Sequence, residues 1–218
     1  MKPQLFAHPF SSYSQKVLIA LYENHVAFDF RMLDGAQDAN CNEFGERWPL
    51  RKFPILVDGD RTILEASTII EYLQIHHPGH APMLPADPDA ALEVRMMDRI
   101  FDNYVMTPMQ VPVFDSLRPE SARDPHGVAD ARKLLDVSYA WLDTRMAERE
   151  WAAGGFSLAD CAAAPALFYA DWVHPIPEAH PHLKAYRARL LARLSVARAV
   201  DEARPYRHFF PLGAPNRD

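Results

Sequence analysis

Lys52-Phe53-Pro54-Ile55-Leu56-Val57-Asp58-Gly59-Asp60-Arg61-Thr62-Ile63-Leu64-Glu65-Ala66-Ser67-Thr68-Ile69-Ile70-Glu71-Tyr72-Leu73 is the stretch that decides the fold. Ile55, Leu56 and Val57 form a short apolar, β-branched run. Asp58-Gly59 supplies the left-handed positions of a tight hairpin, and Thr62, Ile63 and Leu64 resume the extended chain. Ile69, Ile70 and Leu73 then share one helical face, so the order is strand, turn, strand, helix. Pro54 has no N–H, which leaves the backbone of Phe53 unpaired in the sheet and open to an extended peptide. Whether the Phe53–Pro54 bond is cis or trans is left open by the sequence.

Glu65-Ala66-Ser67-Thr68 stands where the second strand hands over to the helix. Free N–H groups and the positive end of the helix dipole hold a carboxylate there, while Glu65 holds an ammonium; together they suit an amino-acid head group. The plainer reading makes Ser67 or Thr68 an N-cap, with Thr68 and Glu71 forming a capping box.

Upstream, Gln4 to His8 reads as a first strand, and Val17, Leu18, Ala20 and Leu21 give a helical face from about Ser14 to Asn24. Ser12 with Gln15 forms a capping box, which leaves Ser11 just before the cap with its hydroxyl free to steady an anion such as a thiolate. The alternative is that these are solvated turn hydroxyls. Phe28 to Met32 alternates like a second strand, completing β-α-β with a right-handed crossover. Residues 34 to 47 lead through a short, mobile second helix into Trp48-Pro49.

Trp48-Pro49, Arg51-Lys52, Phe53-Pro54 and Glu65-Ala66-Ser67-Thr68-Ile69-Ile70-Glu71-Tyr72-Leu73 resemble, in order, the glutathione-binding motif of cytosolic glutathione S-transferases, departing at Ala66 where that family has a serine. Ser11-Ser12-Tyr13-Ser14 is similar to the Ser-Ser-Cys-Ser segment of the zeta-like and theta-like, serine-type members. The resemblance implies α/β plus all-α architecture: an N-terminal thioredoxin-like domain over residues 1–78, a Pro-rich linker over 79–88, and an all-helical C-terminal domain over 89–218. It implies that Ser11 is the catalytic hydroxyl, with Tyr13 the runner-up, and that Lys52, Phe53, Pro54, Glu65, Ala66 and Ser67 bind glutathione. Phe10, Tyr13, Tyr104 and Met109 are then the walls of the second-substrate pocket. The implied activity is attack of a glutathione thiolate on a small hydrophobic electrophile, as in detoxification, by a homodimer. The alternatives are a glutathione-dependent isomerase and a non-catalytic binding or regulatory protein of the same fold.

Composition agrees with an ordinary soluble protein that can bury a good core. The chain has 218 residues, 49% of them hydrophobic, with a net charge of −6. Acidic residues outnumber basic ones both up to His80 (10 against 7) and after it (19 against 16), so neither half offers a basic surface to nucleic acid. No run reaches the roughly 18 apolar residues of a membrane span, no signal-peptide core opens the chain, and Cys41 and Cys161 are far apart. A cytoplasmic location with structural cysteines is expected.

From Pro78 to Pro88 four prolines mark the linker. After it the signals are helical: Leu92 to Asp115, bent or ended by Pro108 and Pro112, then Gly127 to Glu150 with Leu134, Leu135, Ser138, Trp141 and Leu142 on one face. Ser157-Leu158-Ala159-Asp160 is a capping box opening a small-residue helix, and it resembles the cap of the buried central helix of the same family. His174, His180 and His182 lack metal-ligand spacing, so no metal is expected. Lys184, Arg187, Arg189, Arg193 and Arg198 read as a solvated face. Tyr206, Phe209 and Phe210 pack the tail back before it frays.

Overall fold

The computed structural model describes residues 2–35 and 39–218. Strands β1 (Gln4–Ala7), β2 (Asp29–Met32), β3 (Ile55–Asp58) and β4 (Arg61–Ile63) form one sheet in the order β2-β1-β3-β4. β1 runs parallel to β2 and antiparallel to β3, as a β-α-β unit followed by a hairpin requires. Helices α1 (Ser12–Glu23), α2 (Ala39–Arg47) and α3 (Ala66–His76) accompany the sheet. Helices α4 (Pro88–Phe101), α5 (Thr107–Ser116), α6 (Pro125–Met146), α7 (Leu158–Val173), α8 (Pro181–Ala192) and α9 (Leu194–Ala203) follow. The result is a thioredoxin-like domain followed by a helical one. Residues 36–38, within the segment expected to carry the second helix, lie outside the described residues.

Strand alternation divides the sheet's contacts between its two faces. Phe6, Ile55 and Val57 pack with Phe44 of α2 on one face. Leu5, Ala7, Leu56 and Ile63 join α1, α3 and the helical domain in the main core on the other. Asp58 pairs with Arg61 across a two-residue loop, Gly59-Asp60. Only Gly59 takes a positive φ there, at 59°, so the left-handed demand falls on the glycine and not on Asp58.

α1 is apolar on more sides than its expected face, because it lies between the sheet and the helices: every residue from Ser14 to Leu21 is buried. It packs against α3, α7 and α9. Side chains such as Leu18, Ile19 and Leu21 contribute about 1.5–3 kcal/mol each by burial. α7 is its counterpart, buried continuously from Leu158 to Asp171. The Ser157 cap is as expected. Asp160 accepts from the Ser157 N–H (3.0 Å), the Ala152 N–H (3.0 Å) and the Tyr186 hydroxyl (2.6 Å).

Several local expectations are corrected. Pro108 and Pro112 sit inside α5, and the interruption precedes them as a single wide turn over Asp102–Met106, where the Thr107 N–H reaches the Asp102 carbonyl. Pro108 has no N–H for the Tyr104 carbonyl, which instead accepts from the Ser138 hydroxyl at 2.8 Å. On α6 the buried stripe is Ala131, Leu135, Ser138, Tyr139, Leu142 and Met146, while Leu134 and Trp141 are 41% and 45% exposed. The tail does not fray, since Asp218 pairs with Arg204 and Arg207 and Arg217 pairs with Asp171.

Arg187 and Arg193 also leave the expected solvated face. Arg193 stacks on Phe156, 3.9 Å from its centroid, and donates to Glu23 at the end of α1 at 2.9 and 2.5 Å. The Ser195 hydroxyl donates to the same carboxylate at 2.7 Å. Burial alone would raise the Glu23 pKa, but the Arg193 and Ser195 bonds outweigh it and hold the carboxyl below its ordinary value of 4.5. A lowered folded-state pKa stabilises the fold above about pH 4.5 and loses that contribution as pH falls through the lowered value. Glu23→Gln is therefore expected to cost about 1–2 kcal/mol at pH 7. Urea melts should show its deficit against the native protein shrinking as pH falls toward about 3; a deficit independent of pH would refute the assignment.

Candidate functional site

The site forms where the N-terminal ends of α1 and α3 come together. Ser11, not Ser12, is the N-cap of α1, and its hydroxyl accepts from the Ser14 N–H at 3.3 Å. Ser12 is the first helical residue and is buried, while Gln15 donates to the Pro9 carbonyl and to the Tyr169 hydroxyl, both at 3.0 Å. The expected Ser12–Gln15 capping box is thus replaced by a cap one residue earlier. A serine hydroxyl has one donor and two acceptor sites, so capping uses a lone pair of Ser11 and leaves its O–H to donate outward.

The loop before the cap is braced from α7. The Tyr169 hydroxyl donates to the Phe10 carbonyl at 2.7 Å. The Phe10 ring meets Tyr169 edge-on at 5.5 Å and lies 6.5 Å from Trp172, with Phe210 behind them both. These aromatic supports were not found from sequence, because they lie about 160 residues downstream in a helix recognised only by its cap.

At the other end of the site, α3 starts at Ala66 with Glu65 before it at φ 66°, a left-handed conformation that costs a non-glycine residue roughly 1–3 kcal/mol. Glu65 makes no side-chain cap to this helix. Among the described residues the N–H groups of Ala66, Ser67 and Thr68 have no acceptor, and the exposed Glu65 carboxylate has no partner. The expected Thr68–Glu71 box is not formed; Glu71 instead pairs with Arg95 at 2.8 Å. Phe53–Pro54 is a cis peptide, and the Phe53 backbone makes no hydrogen bond among the described residues. Phe53 and Lys52 are exposed, and Phe53 leans edge-on against Phe44 at 6.3 Å.

A buried ion cluster that sequence reading missed joins the two helix starts. Lys16 of α1, almost wholly buried, lies 2.5 Å from Asp98 and 2.8 Å from Asp102. It also donates to the Ser67 hydroxyl at 2.9 Å. Arg99 reaches Asp98 at 2.7 Å, Asp102 at 2.8 Å and Ser67 at 2.5 Å, and Ser67 donates to Asp98 at 2.8 Å. The Ser67 hydroxyl thus accepts twice and donates once, which fills its capacity. Only its backbone N–H remains for a ligand. Burial pushes the Asp102 carboxyl up, against the pull of Lys16. The available signals were a lysine inside an apolar run and two acids four apart on a largely apolar helix.

Tyr13 faces this cluster. Burial, reinforced by Asp102, Glu65 and Asp98 and opposed by Arg99, pushes its phenol up to about 12, so it stays a neutral donor at physiological pH. Of the other expected pocket residues, Met109 is buried in the core, and Tyr104 is half exposed with its carbonyl bonded to Ser138 of α6. Ser67 is part of the ion cluster, Tyr13 lies beside it, Glu65 and Ala66 stand at the same helix start, and Ser11 caps α1 five residues before Lys16. Among the described residues no group of three or more His, Cys, Asp or Glu is placed to hold a metal ion, and His174 pairs with Asp136 at 2.7 Å.

Residues 5–81 match the glutathione S-transferase N-terminal domain family and residues 125–189 match its C-terminal domain family. This chain belongs to the cytosolic glutathione S-transferase superfamily. It is 28% identical over 203 residues to a stringent starvation protein A homolog of Coxiella burnetii, covering 91% of each chain. It is 24% identical over 183 residues to a probable maleylacetoacetate isomerase 2 of Drosophila melanogaster, covering 80% of this chain and 77% of that one. Among solved structures, a glutathione S-transferase of Methylobacterium radiotolerans in complex with glutathione sulfonate superposes with a TM-score of 0.78 at 28% identity, covering 92% of this chain and 95% of that one.

Replacing Lys16 by methionine keeps most of its length and removes the charge that Asp98 and Asp102 share. Leaving two carboxylates buried should cost about 3–5 kcal/mol in urea unfolding. A loss below about 1 kcal/mol would show that the cluster does not hold the helix starts together.

Proposed function

We propose that this protein is a glutathione transferase whose Ser11 steadies the glutathione thiolate for attack on a small hydrophobic electrophile. The observation that carries the reading is the start of α3: three N–H groups that have no acceptor among the described residues, beside a Glu65 with no partner among them, a pair of opposite charges matched to the γ-glutamyl head group. The free backbone of Phe53 supports pairing with the middle of the tripeptide, and Lys52 lies exposed beside it. The glutathione sulfonate complex of the Methylobacterium relative is consistent with the same ligand.

A thiol near pKa 8.5 is only slightly ionised at pH 7, and lowering it by about two units needs roughly 2.7 kcal/mol. One hydrogen bond from Ser11 to the charged sulfur supplies about 1.5–3 kcal/mol and the start of α1 about 0.3–1. No metal is needed for that step. Phe10 and Tyr13 wall the acceptor side, with Tyr169 and Trp172 behind Phe10. A bound thiolate steadied in this way fits conjugation and also glutathione-dependent isomerisation, the activity in the name of the Drosophila relative.

A second reading, a glutathione-transferase-fold binding or regulatory protein, is favoured by one observation. Ala66 brings no hydroxyl and that of Ser67 is filled by Lys16, Arg99 and Asp98, so the head-group carboxylate has backbone donors alone. One missing charge-assisted bond weakens binding by about 1.5–3 kcal/mol, roughly tenfold to over a hundredfold. Calorimetric titration with glutathione, together with the ultraviolet absorbance of the bound thiolate, separates the two. The enzyme reading expects binding with thiolate, and Ser11→Ala should raise the bound thiol pKa by one to two units while binding changes little. Tyr13→Phe should do less. Binding without thiolate supports the second reading, and the reverse ranking of the two variants would give the role to Tyr13.

We further propose a cytoplasmic homodimer. Leu92 and Met96 of α4 and Leu134, Val137 and Trp141 of α6 are exposed, and Arg145 of α6 ties the two helices together through Glu93 at 2.5 Å. So wide an apolar face fits a self-complementary interface. Sedimentation should give about twice the 24.8 kDa chain mass, and Val137→Glu should reduce it to the single chain; a native protein that sediments only as one chain would end the proposal.

A further inference from the structure

The turn Pro9-Phe10-Ser11, which presents the proposed thiolate ligand, is held almost entirely by its own neighbours in the chain. The Ser11 N–H donates to the His8 carbonyl at 3.0 Å, and the Ser11 carbonyl accepts from the Gln15 N–H at 2.9 Å. The Phe10 N–H donates to Nδ1 of His8 at 3.1 Å, and the Pro9 carbonyl accepts from the Gln15 side chain at 3.0 Å. That accounts for every backbone N–H and C=O of the turn except the Phe10 carbonyl. Its donor is the hydroxyl of Tyr169 on α7, 159 positions away and 2.7 Å distant. Among the described residues, Tyr169 is the one hydrogen-bond partner of Pro9, Phe10 or Ser11 from outside residues 8–15.

The directions of these bonds are fixed by the groups themselves. The Pro9 carbonyl can only accept, so the nitrogen of the Gln15 amide faces the turn. The same nitrogen donates to the Tyr169 oxygen at 3.0 Å, which sends the one phenolic proton to Phe10. A single hydroxyl therefore grips both sides of Ser11, the residue before it and the first turn of α1 after it. The phenol is itself immobilised: it is buried and meets Phe10 edge-on at 5.5 Å, Phe168 at 5.1 Å and Trp172 at 5.5 Å. Burial raises its pKa, against the pull of Gln15 and Arg207, so it keeps its proton wherever a glutathione thiol ionises.

We propose that Tyr169 is a positioning residue for the thiolate: its hydroxyl sets where the Ser11 hydroxyl stands at the head of α1, and thereby how far the pKa of bound glutathione falls. The inference rests on the glutathione transferase reading. A group that steadies a reacting atom has to be held within about 0.5 Å of its productive place, and supporting bonds to the residues around it do that. The phenolic proton is spent on Phe10, so Tyr169 has none to give a thiolate and acts through Ser11.

The test is the pKa of glutathione bound to the intact protein, read from the ultraviolet absorbance of the thiolate against pH, with affinity measured alongside by calorimetry. Tyr169→Phe keeps the ring and deletes the hydroxyl. It should raise the bound-thiol pKa by about 0.5 to 1 unit while Kd changes less than about threefold. Tyr186→Phe deletes another buried hydroxyl, bonded to Asp160 of the same helix at 2.6 Å, and should lower thermal stability without moving that pKa. When Ser11→Ala and Tyr169→Phe are combined, the pKa should rise no further than in Ser11→Ala alone, since both changes act on one contact. If Tyr169→Phe folds poorly, Gln15→Met removes the amide from the same junction and should shift the pKa in the same direction. An unchanged pKa in Tyr169→Phe, or in Gln15→Met where that variant stands in for it, would overturn this inference and leave the transferase reading standing. So would equal shifts in Tyr169→Phe and Tyr186→Phe, or additive shifts in the combined variant. Native protein that binds glutathione without a thiolate, or that does not bind it, would remove both.

Discussion

The ion cluster of Lys16, Arg99, Asp98 and Asp102 is the constraint on which the arrangement of the site depends. Two cations and two carboxylates occupy the junction of α1, α3 and α4, and no charge there can be removed without stranding its opposite. Such a cluster contributes little net stability compared with an apolar filling of the same volume. What it supplies is position: α1 and α3 meet at one registration, with Ser67 at the crossing point. Ser11 lies five residues before Lys16, about 7.5 Å along the helix axis. The hydroxyl at the head of α1 and the bare N–H groups at the head of α3 therefore share one frame.

The division of labour at Ser67 follows from that frame. Its side chain is committed inward to the cluster, so its backbone is what it offers outward. Ala66, which has no hydroxyl to commit, and Thr68, whose side chain is exposed, offer the same single group. A helix start of this kind recognises charge and direction more than chemical identity, since N–H groups and a dipole accept any well-placed carboxylate.

What could be read from the sequence follows from the range of the interactions involved. The hairpin, the strand-headed proline and the Ser157 cap are local, set by residues within a few positions of one another; the proline and the cap stand where the sequence places them, and the hairpin loop falls one residue later, at Gly59-Asp60. The cap of α1 was displaced by one residue because Ser11 and Ser12 satisfy the same local rule and only the downstream contacts of Gln15 decide between them. Lys16, Asp98 and Tyr169 were not legible as site residues. Their meaning lies in contacts that span from about 80 to about 160 positions, and a buried lysine in sequence looks like any other lysine. Trp141 was misplaced for the converse reason: apolar periodicity marks a face without saying whether the core or another surface covers it.

The burial of α1 from Ser14 to Leu21 bears on how the chain matures. Its flanks are covered by α7 and α9, and its last turn is gripped by Arg193 and by the Glu202 that Tyr22 bonds. These partners leave the ribosome roughly 150 to 180 residues after α1 itself, a delay on the order of ten to forty seconds at ordinary translation rates. Throughout that interval the sides of α1 that face α7 and α9 lack their cover, while its α3 side has partners within the thioredoxin-like half. The last-made helices thus complete a burial that the first-made helix begins.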